Sequence, residues 1–89
     1  MPPNPNEVIR QSIEVLDRII NDDSVPKNIR RNADSMKITL SNEKSPPSTR
    51  AAMVVSRLDD IGNDPNVPLH TRTLIWGLSS QLETIPVDK

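Results

Sequence analysis

Six carboxylates, Asp17, Asp22, Asp23, Asp59, Asp60 and Asp64, gather in two clusters 42 positions apart, and by residue type they are the groups best suited to chemistry. Clustered carboxylates could hold Mg²⁺ or Ca²⁺, since hard cations want oxygen ligands. The twelve-residue loop spacing of a calcium site is missing, however, and Pro65 and Pro68 stiffen the second cluster. Asp and Asn beside turns more often bind their own backbone, so neither metal nor other cofactor is expected. His70 is the sole histidine and cannot build a zinc site by itself. No nucleophile lies at a fixed spacing from it. The serines lack a Gly-x-Ser-x-Gly elbow, and two glycines, Gly62 and Gly77, cannot make a phosphate loop. The expectation is a protein that is not an enzyme.

The cations give two further candidates. Arg30 and Arg72 occupy matching positions in the two halves. They could form an anion-binding pair, but recurrence at one structural place favours bridges to Asp17, Asp59 or the turn carboxylates, with the stems packed on the hairpins. Lys27, Arg30, Arg31 and Lys37 make a locally basic stretch that Asn28 and Asn32 could join as a nucleic-acid face. Against that stand Asp34, the absence of Phe and Tyr, and a net charge of −1. A solvated helix surface is the better expectation.

These residues must be positioned by a small fold. In 89 residues with 34% hydrophobic content and one aromatic, aliphatic burial barely offsets chain ordering of about 1–2 kcal/mol per residue. Burial against a partner subunit would therefore help. No cysteine is present, which fits a reducing cytoplasm. The opening MPPNPNEVIR lacks the basic and apolar regions of a signal peptide. No apolar run approaches the roughly 18 residues of a membrane span. A cytoplasmic protein is expected.

The organisation is a repeat. Residues 16–40, LDRIINDDSVPKNIRRNADSMKITL, align without a gap on 58–82, LDDIGNDPNVPLHTRTLIWGLSSQL, with 9 identities in 25. Each unit predicts helix, turn, helix, giving hairpin units over about 5–42 and 47–85, a linker over about 43–46, and one domain over 1–89. Helix one is expected from Pro5 to Asn21, with Asn4 and Glu7 as a capping box. Ile9, Ile13, Leu16 and Ile20 recur on one face, widened by Val8, Val15 and Ile19. Helix three, from about Pro46 to Ile61, carries Ala51, Val54, Val55, Leu58 and Ile61 likewise, with Gly62 at a left-handed cap. Ser24 and Asn66 are N-cap types, which would put Pro26 and Pro68 in first turns. Val25, Ile29, Ala33, Met36 and Leu40 then form the inward stripe of helix two. Val67, Thr71, Ile75, Leu78 and Leu82 do so in helix four. The fold class is all-α, an up-down four-helix bundle of two tandem hairpins. A solenoid is the rival, since 42 residues lies in the range of helical repeats, but solenoids generally need three or more units.

The doubled Val-Pro turn, NDDSVPKNIRRNA with NDPNVPLHTRTLIW, resembles the small archaeal proteins grouped as uncharacterised protein family 0147. The resemblance runs nearly the full length. It implies a compact helical bundle and brings no activity, cofactor or site residues.

Helix four departs from its counterpart. From Thr73 to Leu82, TLIWGLSSQL, it carries no charge. With Ile75 inward at 100° per residue, Trp76 falls on a flank and Thr73, Gly77, Ser80 and Thr84 point out. Helix two has Asp34 where helix four has Trp76, so the bundle itself does not require an aromatic there. Small uncharged residues permit close helix contact and Trp is favoured at interfaces. The expectation is a protein-interaction module that self-associates, most simply as a dimer, through Trp76, Gly77, Thr73 and Ser80. The alternative is a nucleic-acid-associated accessory protein that uses helix two.

Overall fold

The computed structural model describes residues 4–86. Four helices follow in order: α1 (Pro5–Ile20), α2 (Lys27–Ser41), α3 (Pro47–Gly62) and α4 (Leu69–Leu82). Among the described residues there is no strand. Contacts join α1 to α2, α2 to α3, α3 to α4 and α4 back to α1, with a diagonal contact between α1 and α3. That closed ring is a four-helix bundle, not a solenoid, because the last helix covers the first. Its principal extents are 38 × 22 × 18 Å.

The core follows from the helical stripes. Leu16, Ile29, Met36, Leu40, Leu58, Ile75, Leu78 and Leu82 are all nearly inaccessible. In α1 the buried face is turned toward Val8 and Ile19, which are buried, whereas Ile13 and Ile20 are half-buried. Ser12 lies within this face with its hydroxyl donating 2.8 Å to the Val8 carbonyl. That bond satisfies a polar group that burial would otherwise penalise. α1 and α3 begin and end 42 positions apart, and α2 and α4 begin at the same offset.

Several expected helix ends are corrected. Ser24 and Asn66 are not N-caps: α2 and α4 start at Lys27 and Leu69, and Pro26 and Pro68 occupy the cap positions with extended backbone, ψ 148° and 150°. The reason is steric. A residue before proline is pushed out of the helical region, so Val25 and Val67 cannot open a helix. The Asp22 and Asp64 side chains instead accept the N–H of Ser24 and Asn66, each at 2.9 Å, the self-bonding turn that Asp favours. By the same geometry α3 starts at Pro47, with Pro46 at its cap.

Gly62 is the last residue of α3, and no glycine among the described residues has positive φ. The left-handed cap is replaced by Asn63 at φ −92°, ψ −3°. Asn4 does cap α1, accepting from the Asn6 N–H at 2.9 Å. Glu7 completes no capping box, because its carboxylate is taken by Arg10 and Gln11. α1 ends at Ile20, with Asn21 as its cap.

Candidate functional site

The outer face of α4 is built by a conflict between helix period and charge. Thr71, Ile75, Leu78 and Leu82 face the core at helical spacing, which leaves the intervening residues to solvent. In α1, α2 and α3 such positions carry many charges; in α4 they do not. Thr73, Trp76, Gly77, Ser80 and Thr84 are all exposed, with Trp76 57% accessible. Leu69, one helical face-length away at i−7, is 73% accessible. The interface expected from the sequence does not include Leu69. Its spacing of seven from Trp76 was the available signal.

Beside this face, Leu58, Asp59 and Gly62 of α3, its cap Asn63, and Trp76, Ser79 and Ser80 of α4 line a groove of about 590 Å³. Gly62 forms part of its wall. A methyl group there would lie 3.6 Å from Ile75 Cγ2 and 3.9 Å from Trp76 Nε1, so the indole leans over the glycine. From Asp59 a second hollow continues along the same seam past Val55, Ala52 and Ser48 to Leu82 and Ile85. The structure thus brings all four expected interface residues, Thr73, Trp76, Gly77 and Ser80, onto one exposed strip beside an open seam.

The basic candidates divide. Lys27, Arg30 and Arg31 line a shallow hollow with Ile20 and Asp34. Lys37 stands apart, its amine 2.7 Å from Asp17 Oδ1. Hydrogen bonding to Asp17, and then its charge, strengthens the hold of Lys37 on its proton. Arg30 lies 3.9 Å from Asp23, and Arg72 donates to the Asp64 carbonyl at 2.9 Å. Both arginine Nε atoms are buried without a partner, so the two guanidinium stems pack against their turns.

His70 is exposed yet bonded across the bundle. Its Nε2 lies 2.8 Å from Asp22 Oδ2 and 3.4 Å from Ser24 Oγ. The Ser24 hydroxyl donates to Asp22 at 2.7 Å. Ser24 first, then His70, hold the Asp22 carboxyl down at about 2. A hydrolytic triad needs serine and carboxylate on opposite ring nitrogens, whereas here both meet Nε2. This cluster ties the α1–α2 turn to the first turn of α4. Among the described residues, no group of three or more His, Cys, Asp or Glu could hold a metal ion, and no helix is long and apolar enough to cross a membrane.

Arg50, unforeseen from sequence, is 7% accessible. Its Nη1 donates to the Leu40 carbonyl at 2.7 Å, placing a cation at the C-terminal end of α2, where the helix dipole favours it. Only the fold puts residues 40 and 50 face to face across the linker.

An all-α bundle with this seam defines a class of small helical proteins, and similarity to known proteins narrows it. The model of an uncharacterised protein family, UPF0147, matches residues 1–85. A UPF0147 protein of Methanosarcina acetivorans is 63% identical over 83 residues, covering 93% of this chain and 86% of that one. A crystal structure described as unknown function protein MMP1188 is similar with a TM-score of 0.89 and 44% identity, over 94% of this chain and 96% of that one. A protein from Thermoplasma acidophilum, solved as a representative of uncharacterized family UPF0147, gives a TM-score of 0.82 and 40% identity, over 86% and 91%. The chain belongs to the UPF0147 family, which has archaeal members and no characterised activity.

Proposed function

We propose that this protein is a non-enzymatic interaction module that works by associating with itself through the outer face of α4. The observation that carries this reading is the exposure of Leu69 and Trp76 on a helix face without charge from residue 73 to 82. Large apolar side chains grouped on an otherwise uncharged face mark interaction sites, whereas scattered ones do not. A homodimer in the archaeal cytoplasm is the simplest form of the proposal, since a thin aliphatic core gains from burial against a second copy. Light scattering after size exclusion should return about twice 9.9 kDa. Trp76→Glu should return the monomer mass while circular dichroism stays helical. A wild-type monomer at high micromolar concentration would remove self-association from the reading.

A second reading, a nucleic-acid accessory role for α2, draws support from Lys27, Arg30 and Arg31 sharing one hollow. It is weakened by the pairing of Lys37 with Asp17 and by Asp34 in the same hollow. Retention on RNA that falls steeply with salt would favour it.

A further inference from the structure

The strip on α4 has an internal symmetry that bears on what covers it. Leu69, Thr73, Trp76, Gly77 and Ser80 span an arc of about 100° at 100° per residue, and each is exposed. The central positions reflect through a point between Trp76 and Gly77, with Thr73 mapping on Ser80. The charges bounding the uncharged run 73–82 have opposite sign, Arg72 at one end and Glu83 at the other. Such a helix is complementary to an antiparallel copy of itself, because a two-fold axis exchanges the two ends.

Gly77 adds an independent observation. A methyl group built there meets nothing within 4 Å, and the residue has ordinary helical backbone without positive φ. Glycine is a poor helix former, and neither a turn nor crowding within the chain calls for it. It does leave room for another backbone to approach.

Area sets a third constraint. α4 has 14 residues, a strip roughly 20 Å long by 10 Å wide, far below the roughly 800 Å² per partner of a stable interface. The broad side of the molecule, 38 × 22 Å, is large enough, so a helix beside α4 has to share the contact, and the groove next to Trp76 lies on the α3 side.

We infer that the occupant is a second copy of this chain, its α4 antiparallel to the first about a two-fold axis between Trp76 and Gly77, with each Trp76 seated in the other copy's α3/α4 groove. This rests on the self-association proposed above and adds direction, register and the α3 wall. Helical side chains lean toward their own N-terminus. The incoming Trp76 therefore leans toward the C-terminal half of the facing α4, where Ser80 and Asp59 border the groove. Their oxygens offer acceptors to the indole N–H, which seeks a partner when buried. Antiparallel pairing also sets Arg72 beside Glu83 of the second copy. Parallel pairing would oppose like charges, which costs affinity.

The chain has no cysteine, so introduced thiols report register cleanly. Under mild oxidation Gly77→Cys should cross-link to itself, since it lies about 1 Å from the axis along the helix. Ser80→Cys alone should not, because its two copies stand about 10 Å apart along the axis, beyond disulfide reach. Mixing Thr73→Cys with Ser80→Cys should restore cross-linking to a yield several-fold above Ser80→Cys alone. The single tryptophan should shift to shorter emission wavelength as concentration drives association. Cross-linking by Ser80→Cys alone, as fast as by Gly77→Cys, would overturn the antiparallel register while leaving self-association standing. Association without an emission shift would overturn the seating of Trp76, and a wild-type monomer would overturn both readings. Should Gly77→Cys fail to fold or, through the bulk added where the two backbones approach, fail to associate, the mixed pair and the emission shift decide.

Discussion

Asp22 and His70, 48 positions apart, meet at 2.8 Å and join the first interhelical turn to the start of the last helix. The Asp22 carboxyl is held at about 2, below its ordinary 3.8, chiefly by the Ser24 hydroxyl and then by His70. A depressed carboxyl stabilises the fold above its unfolded pKa, and that contribution is lost as pH falls through the folded value. Thermal unfolding followed from pH 5 to pH 2 should therefore show a falling Tm, with the contribution of Asp22 lost between about 4 and about 2. Asp22→Asn keeps an acceptor for the Ser24 N–H and removes the titration. Its Tm should fall less steeply in that window, and an unchanged slope would contradict the assignment.

Leu16 and Leu58 are 0% and 1% accessible and occupy matching positions in α1 and α3. Leu16→Ala and Leu58→Ala should each destabilise by about 2–5 kcal/mol, the range for buried large-to-small changes. Urea unfolding of each variant measures this. A loss below about 1 kcal/mol at both sites would show that neither leucine anchors the core.

The legible part of this fold was its periodicity. Ile29, Ala33, Met36 and Leu40 announce a buried stripe because one helical face must collect the apolar residues, and the fold buries all four. The exposure of Thr73, Gly77 and Ser80 followed from the same wheel. Helix starts were misread because Val25 and Val67 fit the stripe, and the steric effect of the following proline outweighs that fit. Contacts such as Arg50 to Leu40 and His70 to Asp22 depend on how the helices assemble, which no local pattern encodes. Leu69 is legible only through its spacing of seven from Trp76, because a first-turn leucine off the inward stripe has no other periodic partner.

The corrected turns change what mutation should do. Asp64 accepts the Asn66 N–H, whereas Asn66 caps nothing in α4. Asp64→Ala should destabilise by about 0.5–1.5 kcal/mol, the net worth of one hydrogen bond, and Asn66→Ala should be close to neutral. Equal losses at both positions in chemical denaturation would restore Asn66 as a cap.

Arg50 couples the halves of the bundle through its 2.7 Å bond to the Leu40 carbonyl. Arg50→Met keeps much of the apolar stem and removes the guanidinium. It should destabilise by about 1.5–3 kcal/mol, the usual worth of a hydrogen bond to a charged group. Hydrogen exchange should rise most in the last turn of α2, which loses the cation over its terminal carbonyl. Uniform acceleration across all four helices would indicate that the residue serves general packing instead.

Gly77 separates stability from association. Within one chain a methyl group at this position meets nothing within 4 Å, so Gly77→Ala gains helix propensity at no steric cost. The isolated chain should become more stable by about 0.8–1 kcal/mol, measured by denaturation at low micromolar concentration where self-association is weak. The same methyl group stands on the strip where two backbones would approach, so dimerisation should weaken in the same variant, read as a rise in the dissociation constant by sedimentation equilibrium. The two effects have opposite signs because one concerns the helix alone and the other its contact. A variant that associates as tightly as the wild type, or more tightly, would mean that the glycine does not serve close approach of two backbones.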